Sequence, residues 1–181
     1  MNTRKITTGA LMVAVATVLS MIPLIRLPQE GTVTLASMAP IILFSFSANL
    51  KYSLITSFVY SLIQMMLGGI APPAENFLSY MAVILLDYVI AFTVLGFAGS
   101  IKRKIKNVYI GAGVASVVVT FIRFICHFMS GILIWSVYAP EGQSALLYSL
   151  IYNGSYMGVE IIITTIVSVL LANQLDKIWK M

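Results

Sequence analysis

Arg123, His127, Gly131 and Trp135 follow one another at intervals of four. On an α-helix that spacing fans the four positions over about 120° of one face while climbing about 18 Å. A guanidinium, an imidazole, a gap and an indole would then form one continuous wall. Four more polar groups stand in apolar surroundings: Asp87, Glu160, Gln64 and Asn153. An ionisable group in such surroundings is costly, by roughly 3 kcal/mol even on lenient scales, and normally faces a cavity or a partner.

The chemistry open to these residues is holding rather than bond-making. The thiol nearest His127, Cys126, is adjacent in sequence and points about 100° away around a helix, so the two do not make a nucleophile and base. Cys126 is also the single cysteine, which excludes an internal disulfide and makes a metal site improbable. Arg123 and Glu160 are expected either to neutralise each other across two helices or to serve the site directly. If they pair, Asp87 is the acid left over: protonated, awaiting a cation, or sharing a proton with His127. Aromatic groups surround it: Tyr88, Trp135, Tyr138, Tyr148, Tyr152 and Tyr156. Trp135 and Tyr138 taken alone would equally suit an interfacial belt. Taken with the polar groups, they suit a flat, partly cationic small molecule. Its ring would stack on Trp135, its charge would meet aromatic faces and Asp87, and its ring nitrogens would bond Asn153 and Tyr148. Gly131 would leave room on that wall, or serve as a helix-packing contact.

What must position these residues is a membrane bundle. The 181 residues are 60% hydrophobic and 9% charged, with mean hydropathy +0.98, against about 25% charged for a soluble domain. Apolar runs at about 6–25, 33–49, 52–70, 78–100, 108–136 and 145–172 predict an all-α bundle of six transmembrane helices in one domain, residues 1–181. No run alternates with period two over ten residues, which disfavours a β-barrel. The breaks carry the breakers: Pro28 and Gly31, Asn49 to Lys51, Gly68 to Pro73, Lys102 to Asn107, and Pro140 to Gly142. The apolar stretch after MNTRK runs on to Ile25, too far for a cleaved signal, and reads as a retained helix.

Charge orients the bundle. With the N-terminus inside, nine cations (Arg4, Lys5, Lys51, Lys102, Arg103, Lys104, Lys106, Lys177 and Lys180) are cytoplasmic, against Arg26 in an outer loop, and both termini are cytoplasmic. The outer loops hold Glu30, Glu75 and Glu141. The formal net charge of +5 thus reports orientation in a cell membrane rather than nucleic-acid binding. Depth along the helices puts Asp87, His127 and Asn153 about 12–16 Å below the outer surface and Arg123 with Glu160 about 20–24 Å below it. These are two expected layers, an upper one for a ligand and a lower neutralised floor.

The stretch HFMSGILIWSVYAPEGQSALLYSLIYNG, with LLDY upstream, resembles the thiamine-specific substrate-binding (S) component of energy-coupling factor (ECF) transporters, and the resemblance runs over nearly the whole chain. It implies a thiamine site whose contacts fall on His127, Gly131, Trp135, Tyr148 and Asn153. The family's Glu-Tyr pair falls on Asp87 and Tyr88, and Arg123 stands where a relative has Lys. Tyr60 occupies a position where Trp is expected. Arg26 to Gly31 contains no aromatic residue, and Glu160 has no acidic counterpart. These departures leave a thiamine precursor, a pyrimidine or another vitamin open as the ligand. The resemblance also implies that the small-residue face of the first helix, Ala10 and Ala14, docks on a transmembrane coupling subunit, although a contact within the chain would use the same step. No G-x-x-x-x-G-K-[ST] loop is present, so ATP would be used by two partner ATPase subunits and this chain would need no cofactor of its own. A self-sufficient proton-coupled carrier using Asp87, His127 and Glu160 is the alternative from another class.

Overall fold

The computed structural model describes residues 3–28, 31–70, 72–73 and 76–178, with side chains to residue 174. Glu30, Glu75 and Lys180 lie outside the described residues, as does the side chain of Lys177.

Helices follow the apolar runs and stop where the sequence supplies a cap or a breaker. α1 spans Thr3–Ser20. α3 spans Leu50–Gly68 and starts at Asn49, whose side chain accepts from the Tyr52 amide; it stops at Gly69, held at φ 74°. α4 runs over Phe77–Lys102 behind an Asn76 cap. α5 spans Val108–Leu133, with Asn107 accepting from the Tyr109 and Ile110 amides. α6 spans Ala145–Ile178. Asparagine thus satisfies the orphan amides of three helix starts. α3, α4, α5 and α6 are each long and apolar enough to cross a bilayer.

Two expectations need correction. The apolar run at 33–49 does not form a spanning helix. It divides into a short strand, a turn with Ala36 at φ 55°, and α2, Ala39–Ser47, which is nine residues long. At about 1.5 Å per residue α2 covers some 13 Å, well under half the bilayer core. Every residue from Ala39 to Phe46 is buried, so this run is apolar because protein surrounds it on all sides. The first run likewise ends as helix at Ser20, and Pro23 opens a strand: β1, Pro23–Arg26, pairs antiparallel with β2, Thr32–Thr34. The register pairs Ile25 with Val33 and Arg26 with Thr32, with an irregularity between Pro23 and Ile25. The expected loop is therefore a small hairpin in an otherwise helical molecule.

α5 and α6 pack along their lengths, while α2 fills the space between α1, α4 and α6. Close approach depends on glycine: a Cβ on Gly99 of α4 would strike the backbone of Ser45 in α2. On α1, Gly9, Val13 and Ala16 face the core, whereas Ala10 and Ala14 are exposed. Ala14 joins Val15, Val18 and Leu19 in a shallow apolar groove on the outside.

Candidate functional site

α4 is not a uniform α-helix. Val83–Val89 is a π-helical stretch and Val94–Phe97 is 3₁₀. π segments insert an extra residue in a turn and recur at functional sites. This one carries Asp87 and Tyr88.

Asp87 is the acceptor at the centre of the site. Its Oδ1 lies 3.1 Å from His127 Nδ1. Its Oδ2 accepts from Ser130 Oγ at 2.6 Å and from the indole N–H of Trp135 at 3.2 Å. The same indole N–H lies 3.2 Å from Ser130 Oγ. The carboxylate is thus not isolated; of the arrangements the sequence left open, the contact with His127 is the one present. His127 and Ser130 are three residues apart on α5, one turn of the same face, and Trp135 follows in a 3₁₀ turn, Trp135–Tyr138. Asp87 and His127 side chains are 14% and 12% exposed, sheltered from water but reachable.

This cluster opens onto a cavity of about 790 Å³ bounded by the hairpin and by α1, α3, α4, α5 and α6, a volume within the range of small-molecule sites. Asp87, Tyr88, Arg123, His127, Gly131, Trp135, Tyr148 and Asn153 all line it. Met21, Arg26 and Tyr138 line it too while remaining exposed, which marks the mouth; Val83, Phe92 and Asn153 line it where it is buried.

Aromatic rings form both flanks. Trp135 and Tyr138 stack at 6.2 Å between centroids with 21° between planes. Tyr148 stacks on Tyr152 at 5.8 Å and 16°, and Tyr152 meets Tyr156 edge-on. Asn153 donates to the Ser149 carbonyl at 3.1 Å and accepts from the Tyr156 hydroxyl at 3.0 Å. Three buried polar atoms on the wall, Arg123 Nε, His127 Nε2 and Tyr148 Oη, have no hydrogen-bond partner among the described residues. Buried groups of this kind are costly unless something supplies the bond, so they point to a ligand. Tyr88 donates to the Gly69 carbonyl at 2.7 Å and holds the end of α3 against α4.

The expected floor pair does not form. Glu160, 2% exposed, accepts at Oε1 from both the amide and the hydroxyl of Thr34, which ties α6 to β2. Arg123 turns instead to the cavity: Nη1 lies 2.8 Å from Met38 Sδ and the guanidinium carbon 4.2 Å from the centroid of Phe92. Once the 33–49 run folds as strand and short helix, Thr34 offers Glu160 two neutral donors and Phe92 offers Arg123 a π face. The two layers expected from depth therefore merge into one wall, with Glu160 behind it. Tyr60 is fully buried and off the wall, edge-on to Phe92 at 5.4 Å; it braces the ring that supports Arg123. Gly131 serves packing: a Cβ there would strike Ser149 Oγ and lie 2.8 Å from Asn153 Nδ2.

Three contributors were not singled out from sequence. Ser130 could have been found from its i+3 relation to His127. Phe92 and Arg26 carry no local signal, because the first reaches Arg123 only through the α4–α5 contact and the second reaches the cavity only through the hairpin. Cys126 is buried and free, and no group of three potential metal ligands occurs among the described residues.

Residues 6–180 match the family described as thiamine transporter protein (Thia_YuaJ). The chain is 33% identical over 173 residues to the thiamine transporter ThiT of Bacillus subtilis, covering 90% of this chain and 86% of that one. It is 26% identical over 134 residues to ThiT of Lacticaseibacillus paracasei, covering 71% and 67%. A solved structure of ThiT from Listeria monocytogenes superposes with TM-score 0.79 over 98% of this chain and 99% of that one, at 21% identity, and so shares the fold. Matched over nearly its full length, with this fold and this cavity, the chain belongs to the thiamine transporter protein family.

Proposed function

We propose that this protein binds thiamine in the cavity and acts as the substrate-specific subunit of an ATP-driven ECF-type vitamin transporter in the cell membrane. The observation that carries the reading is the Asp87–His127–Ser130–Trp135 cluster at an aromatic-lined cavity. Three donors hold the carboxylate in place, so a positively charged ring system meets a fixed charge and the faces of Trp135, Tyr138 and Tyr148 without reorganisation. Tyr148 Oη and His127 Nε2 are placed to bond a heteroaromatic ring, beside Asn153 and Gly131; Tyr88 and Arg123 complete the wall.

In this reading the bundle crosses the membrane with both termini in the cytoplasm, six helical segments contributing and α2 reaching only part way. Thiamine enters from outside. The exposed Ala10 and Ala14 face of α1 docks on a transmembrane coupling subunit, and two ATPase subunits drive release inside. The chain itself makes and breaks no covalent bond and holds no cofactor.

The test is a fluorescence titration with Trp179 replaced by Phe, so that Trp135 reports alone. Thiamine quenches the emission, and Asp87→Asn weakens binding at least ~10-fold, the worth of one charge-assisted contact. Unchanged affinity in that variant would remove Asp87 from the site.

A further inference from the structure

The cavity opens at the end of the bundle where α3 and α5 stop. The opposite end, where α2 and α4 stop and α3 and α5 start, carries a basic cluster with no acid beside it. Lys51, Arg103, Lys104 and Lys106 are all exposed there. None of them has an ion pair among the described residues, where the recorded pair is His127 with Asp87. The carboxylates with described side chains are Asp87, Glu141 and Glu160. All three stand elsewhere: at the cavity, in the link between α5 and α6, and against Thr34.

The bias of cations toward the cytoplasmic side accounts for these charges lying at one end of a membrane bundle. It does not account for the fold gathering them. Lys51 and Arg103 are far apart in sequence and are brought together by the close approach of α4 to α2 at Gly99, where a Cβ would strike the Ser45 carbonyl. Arg103 Nη1 donates to the carbonyl of Ala48, three residues before Lys51, at 3.2 Å, and Nη2 donates to Ser100 Oγ at 3.3 Å. The guanidinium is therefore fixed at the end of α2, whose dipole it complements, with N–H groups to spare. Lys102 is committed inward: it is buried, with Nζ 5.0 Å from the centroid of Phe46. Lys51, Lys104 and Lys106 have no such structural task among the described residues.

The surface beside the cluster is apolar. Ile55, one turn along α3 from Lys51 on the same face, is 51% exposed, and Ile110, in the first turn of α5, is 57% exposed. Basic groups at the edge of an exposed apolar flank fit a molecule with an anionic head and acyl chains, whereas a soluble anion or an acidic peptide would use the head alone. We propose that the turn between α4 and α5, with Lys51 beside it, is a docking site for the phosphate headgroup of an anionic phospholipid of the surrounding bilayer. The fixed Arg103 fork takes phosphate oxygens, Lys51 and Lys104 add charge, and the acyl chains lie along Ile55. In the orientation given above this is the cytoplasmic leaflet, and the site is separate from the vitamin cavity.

The experiment releases the full chain from vesicles of phosphatidylglycerol and phosphatidylcholine with matched acyl chains and reads, by native mass spectrometry, the ratio of the two lipids retained. It compares the wild type with Lys51→Gln/Lys104→Gln, with Lys51→Arg/Lys104→Arg, and with Arg4→Gln/Lys5→Gln, which removes as many charges from α1 at the same end. The wild type retains phosphatidylglycerol preferentially; Lys51→Gln/Lys104→Gln lowers the ratio ~10-fold, the Arg pair preserves it, and Arg4→Gln/Lys5→Gln changes it less than about twofold. Equal retention of the two lipids by the wild type overturns the proposal. So does an equal loss in the two Gln pairs, which would show a diffuse field instead of a site. Thiamine affinity stays within about twofold in every variant, because the cluster and the cavity are at opposite ends. Failure of the wild type to bind thiamine would count against the thiamine reading alone and would leave the lipid ratio readable.

Discussion

Ser130 shows how much one hydroxyl contributes here. It is buried, donates to Asp87 at 2.6 Å and sits within 3.2 Å of the Trp135 indole nitrogen, so it fixes the acid and the ring relative to each other. Ser130→Ala removes a donor to a charged acceptor and is expected to weaken thiamine binding about 10-fold, the ordinary worth of such a bond. Ser130→Thr keeps the hydroxyl and is expected to retain most of the affinity. Isothermal titration of the three proteins checks this; equal affinity for the Ala variant would show that Asp87 is oriented without Ser130. That Asp87, His127 and Trp135 are the polar groups to look at was legible in the sequence, because such groups in apolar helices stand out. Their mutual bonding was not, since it depends on how α4, π-helical at Asp87, packs against α5.

At the scale of elements, the α5–α6 contact decides where Tyr148 and Asn153 stand. Gly131 permits that contact: a Cβ would collide with Ser149 Oγ, whose hydroxyl donates to the Phe128 carbonyl at 2.7 Å. Gly131→Val therefore forces the helices apart or strains the Ser149 side chain, at a cost of ~1–3 kcal/mol typical of overpacking. A lower midpoint of thermal unfolding in detergent, together with weaker thiamine binding, is the expected outcome; an unshifted midpoint would mean that α6 yields freely. The hairpin is the other positioning element. Thr34 ties it to Glu160 and Gly31 ties it to Tyr152, so β1 and β2 form one side of the cavity. Sequence periodicity had no means of finding a strand four residues long beside an apolar run, and the buried α2 looks like a membrane span for the same reason that any fully enclosed helix does.

At the scale of the molecule, binding and transport are expected to separate. Ala10 and Ala14 point outward from α1, away from the cavity, and offer a close-approach surface with nothing from this chain packed over it among the described residues. Ala14→Trp is expected to leave thiamine affinity within about twofold while abolishing uptake by cells that depend on this protein, because the bulky ring blocks a helix from approaching. In vesicles holding the purified chain without ATPases, binding is expected and accumulation is not. Accumulation driven by a proton gradient alone would instead establish the carrier built on Asp87, His127 and Glu160.

The amino-acid sequence by itself determined that the chain lives in a membrane as a helical bundle, where most helices stop, and which polar residues lie within the apolar runs. Those properties are local: hydropathy, capping and the cost of a charge in an apolar run are set by neighbours in the chain. The tertiary structure alone decided who partners whom. Arg123 and Glu160 matched each other on charge and expected depth, yet Thr34 and Phe92, brought in by the hairpin and by α4, engage each of them separately. The physical reason is that the pairing of buried polar groups depends on which donors and π faces arrive within about 3–4 Å, and that is a property of packing rather than of composition.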